Sequence, residues 1–239
     1  SPDLENEIIE RNSRKVLGEI SNDRLLERYA TIVVFSQRTN SALVRDKLLP
    51  SEEYKAAFAN FSVEKVAKLN PETVKAKYWK KPLTYMTFPS KIAAIIDFAK
   101  FIKEKNSISY DLLNTGIPKK LKSLKDIDKF WVEFNTLLEK MKVRKVKYLQ
   151  TTTSLLHFLL DFGYDCIKPD SAVVEVSQKI GIVKVKSGDK NLRKIVDFLL
   201  RYSVERGIRP SIVDLHFLID KPQEGAKKYV SKKYFEEHI

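Results

Sequence analysis

At 239 residues, 43% of them apolar, the chain is long enough for one large domain or two small lobes around a proper core. It carries 44 Lys and Arg against 31 Asp and Glu, a formal charge of +13 and a pI near 9.5, which suits a polyanionic partner whose counterions are released on binding. The single cysteine, Cys166, excludes an internal disulfide, and with only His157, His216 and His238 beside it no zinc or iron–sulfur ligand spacing can be assembled; neither metal nor cofactor is expected.

The opening "SPDLENEIIERN" is acidic and polar where a signal peptide is basic and then apolar, and no apolar run approaches the roughly 18 residues that span a bilayer. A soluble protein in a reducing, cytoplasmic setting is expected. Glycine is scarce, and apolar residues recur at helical spacing, as in Leu25, Leu26, Tyr29, Ile32 and Val33, or Ile92, Ile95, Ile96, Ala99 and Ile102. The pattern predicts an all-α fold, with helices at about 4–17, 22–37, 40–48, 51–59, 62–69, 71–79, 90–105, 125–141, 151–162, 170–180, 190–206 and 211–219. Ser21, Ser51, Asn70 before Pro71, and Ser90 stand where N-caps belong. Residues 106–125, "NSISYDLLNTGIPKKLKSLK", form the most loop-like interior stretch and the expected lobe boundary within one two-lobed domain, 1–239. The tail "KKYVSKKYFEEHI" reads as a basic arm or a last helix, with Lys227 and Lys228 as further cations.

Three segments carry chemistry. In "TIVVFSQRTNSALV" a buried helix ends in Gln37, Arg38, Thr39 and Asn40 before the chain restarts as helix. "SKIAAIIDFAKFI" follows about fifty residues on, and "FGYDCIKPDSAVVEVSQKIGI" runs from Phe162 to Ile182 with Asp170 at the head of an amphipathic run. On residues alone these are core helices, and Asp170 is first of all a helix cap. Their order and spacing resemble the helix-hairpin-helix DNA glycosylases, which include endonuclease III and the 3-methyladenine glycosylases, over Leu25 to Ile219. The first segment is similar to the helix and loop carrying that family's Ser-x-Gln wedge, and the second to its "nKAkrI" helix. The third is similar to the stretch that ends in the catalytic aspartate, with seven residues from Gly163 to Asp170 and an "IG" turn after the helix.

The resemblance implies a two-lobed helical fold with a cleft between lobes, and a base-excision repair enzyme that hydrolyses the N-glycosidic bond of a flipped, alkylated or oxidised purine. Cleaving that bond builds positive charge on the deoxyribose, which a fixed carboxylate stabilises while it orients or activates water. Asp170 takes that role, and Gln37 or Arg38, with Asn40 beside them, fills the vacated stack. The implied partner is double-stranded DNA containing a damaged base, met by a monomer without membrane attachment and held at the nucleoid only through DNA.

The family's hairpin, "L-P-G-V-G-x-K-T-A", has glycine amides that grip a phosphate. Here the corresponding stretch, "MKVRKVKYLQTTTSLL", has no glycine. Amides and hydroxyls of Thr151, Thr152 and Thr153 at a helix start, with Arg144, Lys145 and Lys147, offer a substitute, and a polar helix start with solvated lysines is the plainer alternative. Counting back from Asp170, the family's Schiff-base lysine falls on Thr152, which points to a monofunctional enzyme. "RKVKYL" also resembles the "R-x-x-K-T-L" of archaeal 8-oxoguanine glycosylases, which makes Lys147 the candidate amine of a bifunctional glycosylase/lyase. Tyr85, Phe88 and Trp79 are the base-pocket candidates, whereas Trp131 and Phe134 are expected in the core. Two non-enzymatic readings compete: a helical DNA-binding protein on the same scaffold, and an adaptor whose basic surface binds acidic protein.

Overall fold

The computed structural model describes residues 2–14, 20–37, 39–105, 107–185 and 188–220; Arg38, His238 and the basic tail lie outside the described residues. Among the described residues there are thirteen α-helices and no strand, so the expected helical class holds. No helix among them is long and apolar enough to cross a membrane. The chain forms two units, one of Ser1–Val16, Gly116–Glu139 and Leu149–Ile239 (unit 1), the other of Leu17–Thr115 and Lys140–Tyr148 (unit 2). After α1 (Pro2–Ser13) the chain leaves unit 1, and it returns at Gly116, inside the stretch read as the most loop-like.

In unit 2, α2 (Asn22–Phe35) starts at Ser21, whose side chain accepts from the Arg24 amide, and buries the stripe Leu25, Leu26, Tyr29, Ile32 and Val33. A short α3 (Ser41–Leu43) runs on as a π-turn, Val44–Leu48, and α4 (Glu52–Ala57) is capped by Ser51. The chain then makes a left-handed turn at Ala59, Asn60 and Phe61, with φ of 46°, 52° and 58°, none of them glycine. Such a backbone costs about 1–2 kcal/mol per residue, and the packed rings of Tyr54, Phe58 and Phe61 hold it. α5 (Val63–Val66) takes its cap from afar, since the Asp23 carboxylate accepts from the Val63 amide at 2.8 Å. α6 (Pro71–Tyr78) begins on Asn70 with proline at its first position, as expected.

α7 (Ser90–Lys103) is the hub of unit 2. Ile92, Ile95, Ile96, Phe98 and Ala99 are fully buried, and the Phe98 ring stacks on Tyr29 of α2 at 3.8 Å. Each of these isoleucines and the phenylalanine contributes about 1.5–3 kcal/mol of burial. Ser90 is not the cap the sequence suggested; it is the first helical residue, after Pro89. α8 (Ile108–Leu113) lies inside the stretch read as loop, because its two apolar turns are too short for periodicity to mark.

In unit 1, to which α9 (Leu124–Val143) belongs as far as Glu139, α9 buries Ile127, Phe130, Phe134 and Leu137, while Trp131 is half-buried and donates its indole N–H to Asp197 at 2.9 Å. α10 (Thr152–Asp161), α11 (Ser171–Lys179), α12 (Asp189–Arg206) and α13 (Pro210–Asp220) complete it, with α13 packed on α1, α11 and α12. Arg193 binds three of these helices. Its guanidinium reaches Asp189, Asn135 and the Thr152 hydroxyl and lies over the Trp131 ring at 5.5 Å.

Candidate active site

The stretch from Phe162 to Asp170 is shaped by buried polar groups. α10 ends in a Schellman turn: the Tyr164 amide donates to the Leu159 carbonyl at 3.2 Å and the Gly163 amide to Leu160 at 3.0 Å, with Gly163 at φ +74°. A Cβ on Gly163 would sit 2.5 Å from the Arg14 carbonyl oxygen, so both backbone angle and space require glycine. Gly163→Ala should therefore lower the stability of unit 1 by about 1–3 kcal/mol, read as a shift in the urea midpoint at constant m. An unshifted midpoint would mean that α1 yields at Arg14.

Beyond the glycine, two buried carboxylates fix the loop. Asp165, within it, accepts from the Arg209 Nε at 2.9 Å and Nη2 at 2.8 Å through Oδ1, and from the Leu121 amide at 3.2 Å through Oδ2. Asp214, on α13, accepts from the Lys168 amide at 2.8 Å through one oxygen and from Arg11 Nη1 of α1 at 2.9 Å through the other. Burial pushes the Asp214 carboxyl above the usual range and the Asp170 charge adds to this, while the Arg11 guanidinium pulls it down. Burial also pushes the Cys166 thiol up, where it donates to the Leu156 carbonyl at 3.4 Å. His157 is pushed down to about 4, by burial first and then by the charge of Lys168, so its imidazole is neutral at pH 7.

This frame delivers Asp170 to the start of α11, half-buried. Its Oδ1 accepts from the Ala172 amide at 3.0 Å and the Val173 amide at 3.1 Å, the cap that the sequence suggested. The two oxygens of this carboxylate differ: Oδ1 caps the helix, and Oδ2 is left without a hydrogen bond among the described residues. At the other end of α11 the "IG" turn is a second Schellman motif, with Gly181 at φ +83°.

The other candidates divide between the units. Thr151, Thr152 and Thr153 share unit 1 with Asp170. Thr151 caps α10 in a reciprocal capping box with Ser154, and Thr152 is buried with its hydroxyl taken by Arg193 at 3.2 Å. The expectation of free threonine hydroxyls therefore fails for both: packing of α9 and α12 claims one, and the helix end itself claims the other. Thr153, half-buried, makes no side-chain hydrogen bond among the described residues, and it and the main-chain amides at this helix start keep the anion-binding character.

Gln37, Asn40, Trp79, Tyr85, Phe88, Arg144, Lys145 and Lys147 belong to unit 2. Asn40 caps α3, its side chain accepting from the Leu43 amide at 3.1 Å. Trp79 and Tyr85 are half-buried and Phe88 is exposed. Arg144 pairs with Asp111 at 2.7 Å, so its charge is already answered within the fold. Lys145 and Lys147 are exposed. Lys145, at φ 54°, ends α9 in a Schellman turn normally given to glycine, and the Lys147 carbonyl accepts from the Tyr29 hydroxyl at 2.7 Å. Among the described residues no group of three or more His, Cys, Asp or Glu is placed to hold a metal ion.

Sequence reading passed over Asp214, Arg11, Asp165, Arg209 and Lys91. The signal for Asp214 was a lone acid inside the apolar run "SIVDLHFLI", and for Asp165 an acid inside "GYDCI". Compared with protein-family models, with curated proteins and with solved structures, the chain matches none.

Proposed function

We propose that this protein is a monofunctional DNA glycosylase of helix-hairpin-helix fold that acts in base-excision repair and hydrolyses the N-glycosidic bond of a flipped, modified purine. The observation that carries the reading is the Asp170 carboxylate: its loop is fixed by two buried acids, one oxygen is spent on the helix cap, and the other is uncommitted. A rigid carboxylate with a free oxygen is what stabilising an oxocarbenium-like sugar and orienting a water require.

A second feature supports it. When the family's hairpin lysine falls on Thr152, the first hairpin glycine, four residues earlier, falls on Tyr148. Tyr148 has φ 63°, the left-handed conformation that glycine serves. In this register the left-handed backbone at Tyr148 stands where the family has a glycine, whereas Gln150, at the second glycine, is not left-handed. Lys145 and Lys147 then add charge to a grip on the backbone of duplex DNA, which positions the enzyme without reading bases.

The reaction divides as follows. Gln37 or Arg38 fills the place of the flipped nucleotide, with Asn40 beside them; Tyr85, Phe88 and Trp79 offer aromatic faces to the extruded base. Asp170 stabilises the charge on the deoxyribose, and water completes the hydrolysis. Thr152 has no amine, so no Schiff base forms there.

A panel of duplexes, each with one alkylated, oxidised or deaminated base, tests this. Strand breaks should appear at one lesion class and only after hot alkali, and borohydride should trap no covalent adduct. Trapping that Lys147→Ala abolishes would replace the hydrolytic reading by a lyase. No breaks on any duplex, with salt-dependent binding retained, would leave a DNA-binding protein without catalysis.

A further inference from the structure

We infer that Tyr148 is a positioning residue for Gln37: its hydroxyl holds the glutamine side chain in the attitude from which it enters the base stack, so that the backbone grip and the wedge act as one piece. This rests on the glycosylase reading. The Tyr148 hydroxyl donates to Gln37 Oε1 at 3.2 Å across 111 residues of sequence, within one unit.

Both ends of that contact are held. Gln37 is exposed and sits at φ 57° just after α2. Beneath it the fully buried Lys91 ammonium of α7 donates to the Val34 carbonyl at 3.1 Å, the Ser36 carbonyl at 2.6 Å and the Thr39 hydroxyl at 2.8 Å. Carbonyls at the helix end are thereby satisfied, and the main chain just before Gln37 is fixed, while Thr39, two residues after it, is held through its hydroxyl. Tyr148 is half-buried, and the carbonyl just before it is held by Tyr29. The remaining freedom lies in the glutamine's own rotatable bonds, and a glutamine loses much rotamer entropy when it is ordered. A phenol from a fixed backbone removes part of that freedom before DNA arrives. The family's glycine at this position has no side chain with which to do so.

Tyr148→Phe keeps the ring and deletes only the hydroxyl. On the lesion duplex identified by the panel, Tyr148→Phe and Gln37→Ala should each slow single-turnover excision about fivefold, the size of one positioning hydrogen bond, and the double variant should be no slower than Gln37→Ala. That non-additivity is the signature of one residue acting through the other. Losses that multiply to about 25-fold, or wild-type excision by Tyr148→Phe, would overturn the inference. Side-chain amide relaxation of Gln37, measured without DNA, separates the two levels. A restrained amide in the wild type that becomes mobile in Tyr148→Phe supports the restraint; an amide already mobile in the wild type overturns it whatever the enzyme does. A restrained amide in a protein that excises nothing overturns the glycosylase reading and with it the role in excision.

Discussion

Asp170→Asn should give a folded protein whose excision rate is about 10²- to 10⁴-fold lower. Asparagine is as good an N-cap as aspartate, and its Oδ1 can keep both bonds now made to the Ala172 and Val173 amides. What it loses is charge on the second oxygen, the atom assigned to the sugar. Single-turnover excision beside a thermal melt checks both halves. The buried neighbour gives an internal control: Asp170 helps to raise the Asp214 carboxyl, so the substitution should lower the Asp214 value. Excision by the folded variant within about tenfold of wild type would remove Asp170 from the chemistry.

Arg11→Met should cost about 3–5 kcal/mol, because it strands a buried carboxylate. Asp214 keeps the Lys168 amide and loses the one cation paired with it among the described residues, and the Ser211 carbonyl loses its donor at 2.6 Å. The deficit depends on pH with a definite sign. Asp214 already stands above the usual carboxylate range through burial, with Arg11 opposing, so removal of Arg11 raises it further. A carboxyl that binds its proton more tightly in the folded state contributes stability that is fully present below its unfolded value, about 3.9, and lost as pH rises through its folded value. Urea midpoints should therefore differ less between variant and wild type at pH about 4 than at pH about 8. Adding Asp214→Asn removes the stranded charge, keeps an acceptor for Lys168, and should recover part of the loss. A pH-independent deficit would mean that lost packing, not charge, is responsible.

The helices were readable in the sequence because caps and apolar periodicity agree at most starts: Ser21, Ser51, Asn70, Thr151 and Asp170 all accept from the amides they face. Ser90 misled because Pro89 can itself begin a helix, and α8 was missed because six residues show too little period. Asp170 as an N-cap was legible from its residue type, and its candidacy for chemistry rests on its spacing from Gly163 alone. Its supports were not legible, since Arg11 and Asp214 are ordinary charges until the fold brings them together. The same holds for Lys91, which in "PSKIAAII" looks like a solvated helix start and is in fact wholly buried. Left-handed Lys145 and Tyr148 were invisible for another reason: glycine advertises that backbone, and a side chain conceals it.

The pairing of Arg11 with Asp214 also sets a clock. The two residues are 203 positions apart, and at synthesis rates of about 5–20 residues per second the arginine waits roughly 10–40 s for its acid. Asp170 follows Arg11 late in that interval and precedes Asp214 by 44 residues, so for about the last 2–9 s the loop has been made while the carboxylate that holds its Lys168 amide has not. Helices of unit 2 can pack in the meantime, because all of its residues precede Leu149. Until Asp214 has been made, a nascent chain therefore carries Asp170 without the contact that fixes the loop before it.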